Sequence, residues 1–368
     1  ASVFWETQQP GCAAAGVTPE AGGAESIVAG SSTKTTVQSS YGVGMVAMPD
    51  VAGDYQLAEV DAAALAPGSC YRYRVVSTGA PDAAGRFCTA KPSGSAFRFM
   101  AIGDTDPILG HTLPVLRHVL PEMPEFVVHT GDVNYYSSTE TWAYWFTAMA
   151  PMLRAGAFFP SVGNHENETQ YEPTDYADYY DRLFHQPSPE GNGDGTPKWY
   201  RFSWGGVWFH TIDTEEPYDS GSPQYMWLVA SLAEVAAKPD FRFSVIFMHR
   251  NLYTLGDSAP QVDQRRALAP IFDAHKVRLV LSGHMHGYER FEVGDITYVT
   301  TAGGGGVIGD VNMNVPNYPG DVQYRVVGLP AYHAMLFDVA PVAGGTSLHG
   351  RAIDETGATI DDFTHVIP

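Results

Sequence analysis

The sequence predicts two units of different fold class, an all-β unit first and a layered α/β unit after it. Three observations carry this. Up to about residue 92, short Val/Thr/Tyr-rich runs alternate with Gly, Pro and Asp turns. From Phe97 onward, apolar strand-like runs alternate with stretches of helical periodicity. The strand-like runs of the second unit end in carboxylates, imidazoles, an amide and a phenol. In open α/β sheets ligands sit outside the carboxyl ends of strands, so these residues stand where a site belongs.

With 368 residues, 44% hydrophobic and 17% charged, the chain can bury two cores and is not of disordered composition. No apolar run is long enough for a membrane-spanning helix. The sequence starts at Ala1 with no basic, then apolar, leader, which fits a processed secretory or periplasmic protein. A formal charge of −20 argues against binding a nucleic-acid backbone. It also opposes anionic substrates, though salt screens this beyond about 8–10 Å. An anionic substrate therefore needs a site with its own concentrated positive charge, as bound metal ions provide.

The elements follow in order. Strands are expected at Ser26–Ala29, Thr35–Ser39, Gly44–Met48, Tyr55–Val60, Tyr71–Ser77 and Arg86–Ala90. Tyr71, Tyr73 and Val75 should face a core while Arg72 and Arg74 face solvent. None of the three cysteines, Cys12, Cys70 and Cys88, has metal-ligand spacing. Cys70 and Cys88 lie on runs joined by a turn, so their pairing is preferred over three free thiols. That loop closure is worth about 3 kcal/mol in the chain-entropy picture and points to an oxidising compartment. Lys91–Ser95 reads as a linker.

Beyond it, strands are expected at Phe97–Ile102, Phe126–Thr130, Phe158–Val162, Trp199–Trp204, Val207–Ile212, Phe243–Met248, Val277–Leu281, Ile296–Thr301, Ala334–Val339 and Ser347–Ile353. Helices are expected at Leu113–Leu120, Thr139–Leu153, Gln224–Ala236 and Gln264–His275. The polar strand-end groups are Asp104; Asp132 and Tyr135; Asn164 and His165; His249; and His284 and His286. All these types bind metals, and carboxylates can bridge two ions.

In this order the motifs resemble those of calcineurin-like metallophosphoesterases, and within them the purple acid phosphatases. The family pattern is D-x-G, G-D-x-x-Y, G-N-H-[DE], V-x-x-H and G-H-x-H. Gly131-Asp132-Val133-Asn134-Tyr135, Gly163-Asn164-His165-Glu166 and Gly283-His284-Met285-His286 match the second, third and fifth elements. Gly287-Tyr288-Glu289-Arg290 and Pro223-Gln224-Tyr225-Met226-Trp227-Leu228 resemble flanking family segments. Leu65–Val75 resembles a fibronectin type III strand preceded by its L-x-P-G turn. The resemblance thus implies a fibronectin type III-like β-sandwich over 1–92. It implies a four-layer αββα metallophosphoesterase domain over 96–368.

It also implies chemistry. Asp132 would bridge two metals, with Asp104, Tyr135 and His286 completing one site and Asn164, His249 and His284 the other. The tyrosine site would hold Fe(III), and the second Fe, Zn or Mn. A phenolate suits a hard, highly charged ion. Three anionic ligands against a trivalent and a divalent ion leave a surplus of about +2, which a phosphate needs. The implied activity is hydrolysis of phosphate monoesters by attack of a metal-bound hydroxide. His165 would be catalytic, stabilising the transition state or protonating the leaving oxygen. Arg250 is a candidate partner for a phosphate oxygen. The implied partner is a small-molecule phosphate ester.

Two departures from the pattern matter. Asp104-Thr105-Asp106 has Asp where the family has Gly. Asp106 is open between an extra ligand, a partner for a ligating histidine and an exposed loop residue. After His249, the segment Arg250–Asp257 lacks the further histidines of plant-like members. That keeps phosphodiester hydrolysis, of nucleotides or lipid headgroups, as an alternative. An extracellular binding protein with a degenerate site is a third reading, disfavoured because all seven ligand positions hold competent residues. His129 is expected to be a core or supporting histidine, and His210 and Asp213 structural. Gly303–Gly306 is read as a turn passing close to the site, and Thr174–Tyr180 as a helix packed on the core.

Overall fold

The computed structural model describes residues 2–7, 13–37, 53–76, 83–135, 139–167, 180, 183–184 and 198–368. The expected Gly44–Met48 strand, Cys12 and residues 174–179 lie outside the described residues.

The N-terminal strands form two antiparallel sheets. One has the order Ser2–Thr7, Gly53–Asp61, Ser31–Val37; the other Ser26–Ala29, Ala14–Pro19, Cys70–Val75, Ala84–Cys88. Trp5, Ala58 and Val60 of the first sheet pack with Ala15 of the second, as inner faces of a sandwich do. Tyr71 is buried and stacks on Phe87 with ring centroids 5.5 Å apart. Arg72 and Arg74 point outward to Glu20 and Glu25. Cys70 and Cys88 stand opposite each other in the ladder and are disulfide-bonded.

Two larger sheets follow. The first has six strands: Ala157–Pro160, Phe126–His129, Phe97–Ile102, His333–Val342, Gly345–Asp354 and Thr359–Ile367. The second has seven: Tyr200–Trp204, Val207–Thr211, Phe243–Met248, Val277–Ser282, Ile296–Thr301, Tyr288–Val293 and Arg325–Leu329. The strands that lead into the expected site run parallel to one another within each sheet, while Phe97–Ile102 pairs antiparallel with His333–Val342 on its other side.

Alternation along these strands creates the layers, because successive side chains take opposite faces. Phe97, Phe99 and Ala101 meet Phe243, Val245 and Phe247 in a core between the sheets. The intervening Met100 and Ile102 pack outward with Trp142 and Trp145 of the helix Thr139–Leu153. On the other side, Ile246 and Met248 pack with Leu228 and Leu232 of Pro223–Ala236 and Phe272 of Val262–Ala274. Both strand faces are therefore covered, which explains their continuous apolar character. Ser222 caps the Pro223 helix by accepting the Tyr225 N–H at 3.3 Å, with Pro223 at its first position.

Candidate metal centre

Three of the six described non-glycine residues with positive φ are expected ligands: Asp104 (57°), Asp132 (50°) and His284 (68°). Each sits where a strand turns sharply, and such strain concentrates at functional sites. The turns brace one another through the backbone. Asp104 N–H donates to Gly131 O at 3.0 Å, Gly283 N–H to His249 O at 2.9 Å and Gly306 N–H to Asp104 O at 3.0 Å. The motif glycines are required for closeness. A Cβ on Gly283 would lie 2.5 Å from the Thr130 carbonyl and 2.6 Å from Asp104 Oδ2. One on Gly306 would meet His286 and Tyr135, so the glycine run does pass close to the site.

The expected ligands converge in two groups. Ligand atoms of Asp104, Asp132 and His286 lie within 4.8 Å of one another. The Tyr135 hydroxyl is 2.7 Å from His286 Nε2 and 3.5 Å from Asp104 Oδ1. Next to them, His249 Nε2 is 3.3 Å from Asp132 Oδ1, 3.0 Å from Asn164 Oδ1 and 3.2 Å from His284 Nδ1. Asp132 thus belongs to the first group and approaches the second through His249.

Ring orientations are set from behind. His249 Nδ1 donates to Thr130 O at 2.9 Å and His286 Nδ1 to Val307 O at 2.8 Å. Both rings thereby aim Nε2 into the cluster, as metal-ligating histidines do. For His284 the inward atom is Nδ1, and Nε2 lies 3.2 Å from Arg250 Nη1.

Burial and the close carboxylates and imidazoles perturb every titratable group of the donor cluster. Burial pushes the Asp104 carboxyl and the Tyr135 phenol up, and nearby carboxylates push the phenol further. Burial raises Asp132 too, but the His249 charge outweighs it and holds that carboxyl below its usual range. Burial disfavours charge on His249 and His286, yet Asp132 and Asp104 raise them to about 10 and about 9. His284 is lowered to about 3 by burial and by the His249 charge.

His165 stands beside the two donor groups, with Nε2 3.8 Å from Asp132 Oδ2. Its backbone N–H donates to Asp132 Oδ1 at 2.9 Å, and its ring lies 4.4 Å from that of Tyr135. Its side chain keeps 26% of its exposure. Asp106 is not an exposed loop residue: it is 3% exposed, and its Oδ1 accepts the Ile108 N–H at 3.0 Å, closing a tight turn. Of the three roles open for Asp106, the exposed one is excluded, because Gly305 packs against the Asp106 backbone. His129 is buried and bonded to Thr105, which also accepts from Trp145. His210 bonds Ser231, and Asp213 fixes the turn before the Pro223 helix.

Two residues are more important than their sequence context suggests. Glu166 accepts N–H groups from Asp132, Val133, Asn134 and Gly163, tying the second strand-end turn to the third. Burial and Asp132 push its carboxyl up to about 8, while the four donors favour the ionised form. Its motif position next to His165 was the available signal. Glu215 holds Arg250 in a two-pronged pair, 2.7 Å at each prong. Nothing local in the sequence marks that pairing.

The sequence profile of the calcineurin-like phosphoesterase family matches residues 97–288. An uncharacterized protein of Mycobacterium tuberculosis is 28% identical over 259 residues, 61% of this chain and 49% of that protein. Purple acid phosphatase 1 of Ipomoea batatas is 25% identical over 181 residues, 47% of this chain and 38% of that enzyme. The chain thus spans about half or less of the length of these curated relatives. Among solved structures, a purple acid phosphatase from yellow lupin seeds superposes with a TM-score of 0.76 at 17% identity. That match covers 99% of this chain and 72% of the lupin chain, and it is a likeness of fold.

Proposed function

Because the chain belongs to the calcineurin-like phosphoesterase family, we propose that it is a dinuclear-metal hydrolase of phosphate monoesters, of the purple acid phosphatase kind. The observation that supports this best is the convergence of seven donor side chains from five strand ends, with Asp132 standing between the two groups. The donor set fits metal ions, since two histidines are held from behind with Nε2 inward. In this reading Asp104, Asp132, Tyr135 and His286 hold one ion, Fe(III). Asp132, Asn164, His249 and His284 hold the second, Fe, Zn or Mn.

Metal ions held there supply Lewis-acid charge and make water nucleophilic near neutral pH. The chain's own residues do the rest. The two sets of turns fix the donors before substrate arrives, so no reorganisation is needed during the reaction. His165, anchored through its backbone to Asp132 and open on one side, stabilises the phosphoryl group or gives a proton to the leaving oxygen. We read residues 1–92 as a fibronectin type III-like module and 96–368 as the catalytic domain. The Cys70–Cys88 bond supports a secreted or periplasmic setting. Among the described residues no helix is long and apolar enough to cross a membrane.

Diester hydrolysis is the second reading. Downstream of His249, Asn251, Leu252, Thr254 and Leu255 are buried and supply no group to a leaving oxygen. Rates of metal-replete protein on an aryl phosphate monoester and its matched diester decide between the readings. A monoester preference supports the first, a diester preference the second, and inactivity on both refutes the phosphoesterase proposal.

A further inference from the structure

We propose that Arg250, aligned by Glu215, is the residue that selects monoesters, by binding the third non-bridging phosphoryl oxygen that a diester lacks. The inference deepens the phosphoesterase reading and rests on it.

The argument starts with hydrogens. The inward nitrogen of His284 is Nδ1, 3.2 Å from His249 Nε2. If Nδ1 gives its lone pair to a metal, the ring proton must sit on Nε2. That nitrogen lies 3.2 Å from Arg250 Nη1, and a guanidinium only donates. The contact then sets donor against donor. With that tautomer, an anionic oxygen that accepts from both resolves the conflict, which makes the pair a site for one oxygen beside the donor cluster.

The orientation of the arginine is built in. Glu215 takes Nε and Nη2 at 2.7 Å each, leaving the Nη1 edge towards His284. A two-pronged pair of this kind fixes the guanidinium plane. Thr214 Oγ1 accepts the Arg250 backbone N–H at 3.1 Å, which fixes the root of the side chain. The side chain is 29% exposed, so a bound oxygen can reach it. Glu215 also neutralises the arginine, so it acts through a placed N–H and not as a general anion attractor. In a monoester all three remaining oxygens are non-bridging. In a diester one of them carries a carbon, and neither donor finds an acceptor of the same strength there. A site built to hydrogen-bond a group rejects the analogue without it more strongly than a site that merely fits its shape.

The test uses the full chain, metal-loaded, as wild type, Arg250→Ala, Arg250→Lys and Glu215→Gln. The readouts are metal content, the ratio of monoester to diester kcat/KM, and the Kd of inorganic phosphate by titration calorimetry. Arg250→Ala should keep its metals, lower the ratio at least about 10-fold and weaken phosphate binding by a similar factor. Arg250→Lys should restore only part, because lysine lacks the fork. Glu215→Gln should raise the monoester KM with a smaller change in kcat. An unchanged ratio or unchanged phosphate affinity in Arg250→Ala overturns the proposal, and so does loss of its metals, which would make Arg250 a support for His284. A wild type inert on both esters refutes the phosphoesterase reading, while the phosphate titration still decides the role of Arg250.

Discussion

The Glu166 carboxylate accepts the backbone N–H of Asp132 at 3.0 Å, and through its other contacts it clamps the turn that carries Asp132 to the turn that carries Asn164. Two donors of the cluster are thus positioned by one buried side chain that is not itself among them. In Glu166→Gln an amide NH₂ must face backbone N–H groups, which leaves buried donors unpaired. The account predicts metal affinity lower by about 10- to 100-fold, the usual cost of losing such a support. Competition against a chelator measures it. Unchanged affinity in a folded variant would mean that the turns hold their shape without the clamp.

His165 and the seven donors should separate cleanly. His165→Ala is expected to keep both metals and lose kcat by about 100- to 10,000-fold, the range for a general acid. Metal analysis alongside single-turnover rates checks this. A large loss of metal would move His165 into the ligand set.

His210 offers a test of the fold away from the cluster. It is fully buried, and burial with the nearby Arg201 charge lowers it to about 3. The unfolded chain therefore takes up this proton first, near the ordinary value of about 6.5. The stability that neutral His210 contributes is complete above that pH and falls as the pH drops from about 6.5 towards 3. His210→Gln, which can still reach Ser231, should lose less thermal stability than wild type between pH 7.5 and 5. Equal losses in the two proteins would contradict the assignment.

The second unit was largely legible because its parallel strands are buried on both faces. Phe97–Ile102 and Phe243–Met248 read as apolar runs and occur with the expected ends. Two of the strands that escape the pattern are half-exposed and mixed, and the third is a buried one hidden in a motif. Thr359–Ile367 carries Asp361 and Asp362, Arg325–Leu329 is short and contains Gly328, and Tyr288–Val293 reads first as a motif. The candidate ligands were legible because each sits at a marked turn. Glu215 was not, because its partner Arg250 lies 35 residues away on another strand end. The role of Asp106 stays open in the sequence because its cover, the 303–306 turn, comes from nearly 200 positions later.

The measurement closest to the central claim is the metal content of wild type and Asp132→Ala after loading and gel filtration. Asp132 is the residue that stands between the two donor groups. The account predicts about two ions per chain in wild type, as in two-metal hydrolases, and near none in the variant. Two tightly held ions in a folded Asp132→Ala would contradict the shared-carboxylate centre on which the proposed function rests.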